Sequence, residues 1–120
     1  MSAKTAKSGI YIDAQKLYDI FYEGQFEMDR RDRPTTALKL LDHTEQFIAN
    51  FALAYNTGEK EYYIKKMISE FEIIKFLSRF AITKGMFKKT YTISGVKELI
   101  VKIDEGVVKW RNYIKSARQE

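Results

Sequence analysis

Apolar residues recur at helical spacing along most of the chain, and the breaks in that rhythm divide it into four segments. In the first, Leu17, Ile20, Phe21 and Met28 share a face, which predicts a helix from a cap at Asp13 to about Met28, with Gly24 as its weak point. A charged stretch from Asp29 to Arg33 follows. The residue before a proline avoids the helical region and proline itself suits a first turn, so a second helix is predicted from near Pro34. Its broad apolar face carries Leu40, Leu41, Phe47, Ile48, Phe51, Ala52 and Tyr55, and Asn56-Thr57-Gly58 stops it.

The third segment, from about Glu59 to Lys84, has two apolar stripes. Ile64, Met67, Ile68, Phe71, Ile74 and Ala81 fall on one side of a helical wheel, and Tyr62, Ile73, Phe76, Leu77 and Phe80 on another. A helix in a simple bundle cannot bury both. Either its neighbours wrap it, or the second stripe meets another subunit, and the subunit contact is the expectation favoured here. Gly85 to Ile93 reads as a basic, aromatic loop in which Tyr91 or Phe87 could stack on bases, with Ser94 capping a fourth helix. There Ile100, Ile103, Val107, Trp110 and Ile114 step by 3, 4, 3 and 4, the rhythm of a bundle seam. Val101 and Val108 lie on a different flank and join Ile73, Phe76, Leu77 and Phe80 as expected oligomer-interface residues. Gly106, inside this helix, costs about 1 kcal/mol relative to alanine, and close helix approach is one reason for it. No strand pattern competes. The expected architecture is all-α: an antiparallel up-down four-helix bundle over residues 11–118, behind a flexible tail over residues 1–10.

Composition sharpens this picture. At 120 residues with 45% apolar and 14% aromatic side chains, the chain has the makeup of one packed domain. It has no cysteine, which excludes a disulfide framework, a thiolate metal site and a cysteine nucleophile, and agrees with a cytoplasmic location. The residues from Met1 to Gly9 lack the apolar core of a secretory signal, and no window reaches the apolar length of a membrane span. The lone histidine, His43, sits among Asp42, Thr44 and Glu45 and reads as a surface residue. One histidine cannot build the paired Glu-x-x-His elements of a bundle metal site, and phosphate-loop motifs are missing. Neither catalytic residues, a metal site nor a cofactor is expected.

Charge is distributed unevenly. Residues 1–60 hold 8 basic and 9 acidic side chains, whereas Lys75 to Arg118 hold 11 basic and 3 acidic, so the net charge of +5 originates in the second half. Lys97, Arg111, Lys115 and Arg118 project within about 60° of one another on an ideal wheel, and Lys84, Lys88 and Lys89 precede them. Such a patch points to a polyanionic partner, RNA or DNA. A solvated surface is the plainer alternative.

The run Glu70-Phe71-Glu72-Ile73-Ile74-Lys75-Phe76-Leu77-Ser78-Arg79-Phe80-Ala81, then Lys84, Lys88 and Tyr91, then Ile103-Asp104-Glu105-Gly106-Val107-Val108-Lys109-Trp110-Arg111 through Lys115-Ser116, resembles the accessory variability determinant proteins of diversity-generating retroelements. These belong to a wider group of four-helix bundles that includes proteins encoded in ribosomal-RNA intervening sequences. The resemblance covers roughly residues 14 to 116 and is best from 64 to 116. It rests on an order of helix-face residues and one tryptophan. It implies a bundle assembled as a homopentamer with a basic surface, which binds nucleic acid and associates with a reverse transcriptase during mutagenic cDNA synthesis. By position, Arg79, Lys84, Lys109, Arg111 and Lys115 would belong to that surface. This chain departs from the pattern where Asp29 and Asp32 mix acids into the usually basic lead to the second helix.

Overall fold

The computed structural model describes residues 9–119, with side chains through residue 116. Four helices pack into one body: α1 (Gly9–Gly24), α2 (Leu38–Asn56), α3 (Lys60–Thr83) and α4 (Thr90–Gln119). At about 1.5 Å rise per residue the 30-residue α4 spans about 45 Å, which accounts for the 50 Å long axis of the molecule. Among the described residues there is no strand, and no helix is long and apolar enough to cross a membrane. The expected tail falls mostly outside the described residues, but Gly9 and Ile10 already belong to α1. The helix starts ahead of Asp13 because Ile10, Tyr11 and Ala14 extend the buried stripe of Leu17 and Phe21 by a turn.

The C-terminal end of α1 departs from expectation. The helix stops at Gly24, Gln25–Glu27 form a 3₁₀ turn, and Met28 is buried in an extended conformation (φ −79°, ψ 153°). Arg33 secures this turn, donating from Nε to the Gln25 carbonyl (3.1 Å) and from its guanidinium to the Phe26 carbonyl (3.3 Å). Carbonyls at the end of a helix lack partners in the helix itself, and Arg33 supplies them. A π-turn, Arg33–Ala37, with Pro34 in its first turn, then leads into α2 as expected.

The core is a single apolar cluster fed by all four helices, with Phe21, Phe47, Phe51 and Phe71 as its largest fully buried side chains. On α4 the buried seam runs through Val96, Leu99, Ile103, Val107 and Ile114. Ile100 and Trp110, expected on it, pack only partly against the core. Contact is most extensive between α2 and α3, next between α1 and α4, and sparse between α3 and α4, which leaves a groove along that last pair. Gly106 permits the close approach of α1: a Cβ there would fall 2.6 Å from Ile10 Cδ1. α3 ends where Gly85 adopts φ +70°, with Met86 N donating to Ala81 O (2.9 Å) and Gly85 N to Ile82 O (3.1 Å), a glycine-terminated helix end.

The loop expected over Gly85–Ile93 is shorter than predicted. α4 begins at Thr90, so Ser94 lies inside the helix and caps nothing. The anchor comes instead from Glu27, more than sixty residues earlier: Oε1 accepts the backbone N–H groups of Lys88 (2.9 Å) and Lys89 (2.8 Å), and Oε2 accepts the Thr92 hydroxyl (2.7 Å). Partial burial pushes the Glu27 carboxyl up, but Thr92 and the two N–H groups outweigh it and hold it below its ordinary value of 4.5. A depressed carboxyl contributes stability that is present above the unfolded-state pKa and lost as pH falls through the folded one. Glu27→Gln is therefore expected to cost about 1 kcal/mol at pH 7, and the gap to the parent should close as the pH falls through the depressed folded-state value. Thermal melts at neutral and acid pH check this; a pH-independent gap would contradict the assignment.

Candidate nucleic-acid interface

The basic residues of the second half lie on several different surfaces. Arg79 on α3 and Lys97 on α4 both line the α3–α4 groove. Lys84, one turn past Arg79, lies 6.0 Å from the Phe80 ring centre. Lys88 and Lys89 lie towards α1, around Glu27, where Lys88 Nζ donates to the Gly85 carbonyl (2.7 Å) and Lys89 Nζ sits 5.5 Å from the Tyr91 ring. Lys109 lines the α1–α4 corner with Asp13 and Glu105, on another flank from Lys97. Lys115 is exposed near the end of α4, and the side chain of Arg118 lies outside the described residues. The structure thus places Arg79 and Lys97 on one groove and Lys88, Lys89 and Lys109 on other surfaces.

Arg111 is already engaged. Its guanidinium donates to Glu72 Oε1 (3.1 Å), and Glu72 also pairs with Lys75 (3.0 Å), which reaches Asp104 (3.2 Å). Hydrogen bonding from Lys75, ahead of that from Arg111, draws the Glu72 carboxyl below its ordinary range despite some burial. Desolvation lowers Lys75, yet its two carboxylate partners raise it overall, so it stays charged. This α3–α4 network uses charge that sequence reading had left free, because nothing in the sequence shows that Glu72, Lys75, Asp104 and Arg111 share a surface.

The aromatic residues of the turn divide in the same way. Phe87 is buried and stacked on Phe21, with ring centres 6.3 Å apart, so it is core and presents no face to a base. Tyr91 is 71% exposed in the first turn of α4 and is available for stacking. Hydrogen bonding with Tyr91 raises the pKa of Lys89, which keeps that ammonium charged beside the ring.

The second stripe of α3 is exposed. Phe76 is 66% accessible, and Tyr62, Ile73 and Phe80 are also open, whereas Leu77 packs partly against the core. Val101 and Val108 are exposed on α4, and Val101 lines the same groove as Lys97. Expected interface and expected cations are therefore interleaved along α3 and α4.

Two features escaped sequence reading. His43 is partly buried and pairs through Nδ1 with Glu70 Oε2 (2.5 Å), tying α2 to α3. Lys60 places its ammonium 4.6 Å from the ring centre of Tyr113, 5.0 Å from Trp110 and 5.6 Å from Tyr55, so that two rings of α4 and one of α2 hold the start of α3. The spacing of Lys60 and Trp110 carries no sign of either contact. Among the described residues no cluster of acidic and histidine side chains could hold a metal ion. Comparison with protein-family models, with curated proteins and with solved structures returned no match.

Proposed function

We propose that this chain is a non-catalytic, nucleic-acid-binding accessory protein that associates with a reverse transcriptase in retroelement mutagenic cDNA synthesis, working in the cytoplasm as a cyclic homo-oligomer, a pentamer by resemblance, of antiparallel up-down bundles. One observation carries the reading. Of the eight described cations expected to bind nucleic acid, only Arg111 has a carboxylate partner; Arg79, Lys84, Lys88, Lys89, Lys97, Lys109 and Lys115 have none within ion-pairing distance among the described residues. Elsewhere Lys65 pairs with Glu61 and Lys102 with Glu98, whereas Lys16, Lys39 and Lys66 also have no ion pair among the described residues. Charge left unpaired on a protein of net +5 favours a polyanion. Contacts to phosphate would supply affinity without reading sequence, and a ring of subunits would repeat them and add avidity.

A second reading is an oligomeric interaction scaffold with no nucleic-acid role, and the exposed Ile73, Phe76 and Phe80 favour it. Light-scattering mass with and without a structured RNA, at low and high salt, separates the two. An oligomer that takes up RNA at low salt and releases it as salt rises, with about 0.7 to 0.9 lost from the logarithm of affinity per decade for each phosphate contact, is expected. An oligomer indifferent to RNA would leave the scaffold, and a monomer indifferent to RNA would overturn both.

A further inference from the structure

The hydroxyl of Ser78 is buried, at 3% exposure for the residue, and is the only buried side-chain polar atom among the described residues without a hydrogen-bond partner. Buried polar groups are nearly always satisfied, because leaving one unpaired forfeits its hydration with nothing in return. Ser78 lines the α3–α4 groove, a space of about 520 Å³. No carboxylate lines that groove, whereas Lys75, Arg79 and Lys97 do, together with the hydroxyl-bearing Thr83 and apolar walls from Val96 and Ile100. Lys75 is neutralised by Glu72 and Asp104, but Arg79 and Lys97 have no carboxylate partner among the described residues.

We infer that this groove is an anion seat that takes a phosphodiester of the nucleic-acid chain between Arg79 and Lys97, with Ser78 as the donor beneath it. The inference deepens the nucleic-acid reading and rests on it for the identity of the ligand. Arg79 offers a planar fork of N–H donors suited to two phosphate oxygens, and Lys97 a compact charge on the facing helix. In the free protein the Ser78 hydroxyl is covered. Arg79 and Lys97 are exposed, long side chains that line the same groove, and binding requires the groove to open enough for an arriving phosphate to reach the hydroxyl. The bound anion then satisfies a donor that the folded protein leaves unpaired. Contact between α3 and α4 is sparse overall, which leaves room for the groove.

The test titrates fluorescein-labelled oligouridylate and, separately, inorganic tripolyphosphate into the full chain and its variants. Arg79→Gln/Lys97→Gln is expected to weaken oligonucleotide binding and to reduce the salt slope by about 1.4, two contacts at about 0.7 each. Lys16→Gln/Lys39→Gln, an equal loss of charge at exposed positions of α1 and α2, should leave more of the slope intact. Ser78→Ala is expected to weaken binding about tenfold while the melting temperature holds or rises, because the substitution removes an unsatisfied group. A purely structural serine would not separate binding from stability in this way. If the oligonucleotide binds and the double variant keeps its affinity and slope, the seat is overturned and the nucleic-acid reading survives. If only tripolyphosphate binds, and shifts the amide resonances of Ser78, Arg79 and Lys97, the seat stands and the nucleic-acid reading falls. If neither ligand binds, both are overturned.

Discussion

A methyl group added at Gly24 is expected to destabilise the protein by about 2 kcal/mol. Two effects oppose each other at this position. Alanine improves helix propensity by up to about 1 kcal/mol over glycine, which argues for stabilisation. Against it, a Cβ on Gly24 would stand 2.8 and 3.1 Å from two ring atoms of Phe87 and 3.3 Å from Thr92 Cγ2. Neither neighbour can readily retreat: Phe87 is buried against Phe21, and Thr92 is held by Glu27. Overpacking of this kind costs about 1 to 3 kcal/mol and wins. For a domain of this size the melting temperature should fall by roughly 8 °C. Gly24→Ala combined with Phe87→Leu should recover part of the loss, since the smaller side chain relieves the contact. A Gly24→Ala protein as stable as its parent would show that α1 and α4 can part at no cost. Gly106→Ala should be milder, because the obstructing Ile10 sits in the first turn of α1, where side chain and helix end can both yield.

Phe76→Glu is expected to break the proposed assembly into 14.1 kDa protomers while the helical content stays unchanged. Phe76 is the most exposed residue of the α3 stripe and takes no part in the core cluster, so its replacement leaves the folded protomer intact. In an interface, a desolvated carboxylate facing apolar side chains without a partner is costly, and aromatic anchors at the centre of an interface contribute about 2 kcal/mol or more each. That loss weakens association about thirtyfold at every contact of a ring. Light scattering reads the mass and circular dichroism the helicity. An unchanged mass for an oligomeric parent would remove Phe76 from the interface. Leu77→Glu is the poorer probe, since Leu77 packs partly against the core and its loss would mix unfolding with dissociation.

The contrast between Phe76 and Leu77 shows what helical periodicity can resolve. Spacing placed both on a second stripe, and the structure separates them by one residue's rotation about α3, enough to put one in solvent and the other against the core. The seam of α4 slipped in the same way, from Ile100 to Leu99, because adjacent apolar residues at a boundary are equivalent to a pattern and distinct to a neighbouring helix. Among the cations, periodicity put Lys97 and Arg111 on one side of a helical wheel. It was silent about Glu72 on another helix, which takes up the charge of Arg111.

By itself the sequence determined that the chain is helical, where four amphipathic segments lie, that Pro34 and the Asn56-Thr57-Gly58 stop bound α2, and that the positive charge gathers in the second half. These follow from local backbone preference and from the burial of one face, which act over a few residues and leave a periodic trace. Tertiary structure alone decided that Glu27 anchors the start of α4, that Lys60 sits among three aromatic rings, that Arg111 is paired, and that Ser78, Arg79 and Lys97 line one groove. Each of these depends on side chains brought together by the packing of separate helices, and side-chain chemistry at one position carries no record of the distant partner it will meet.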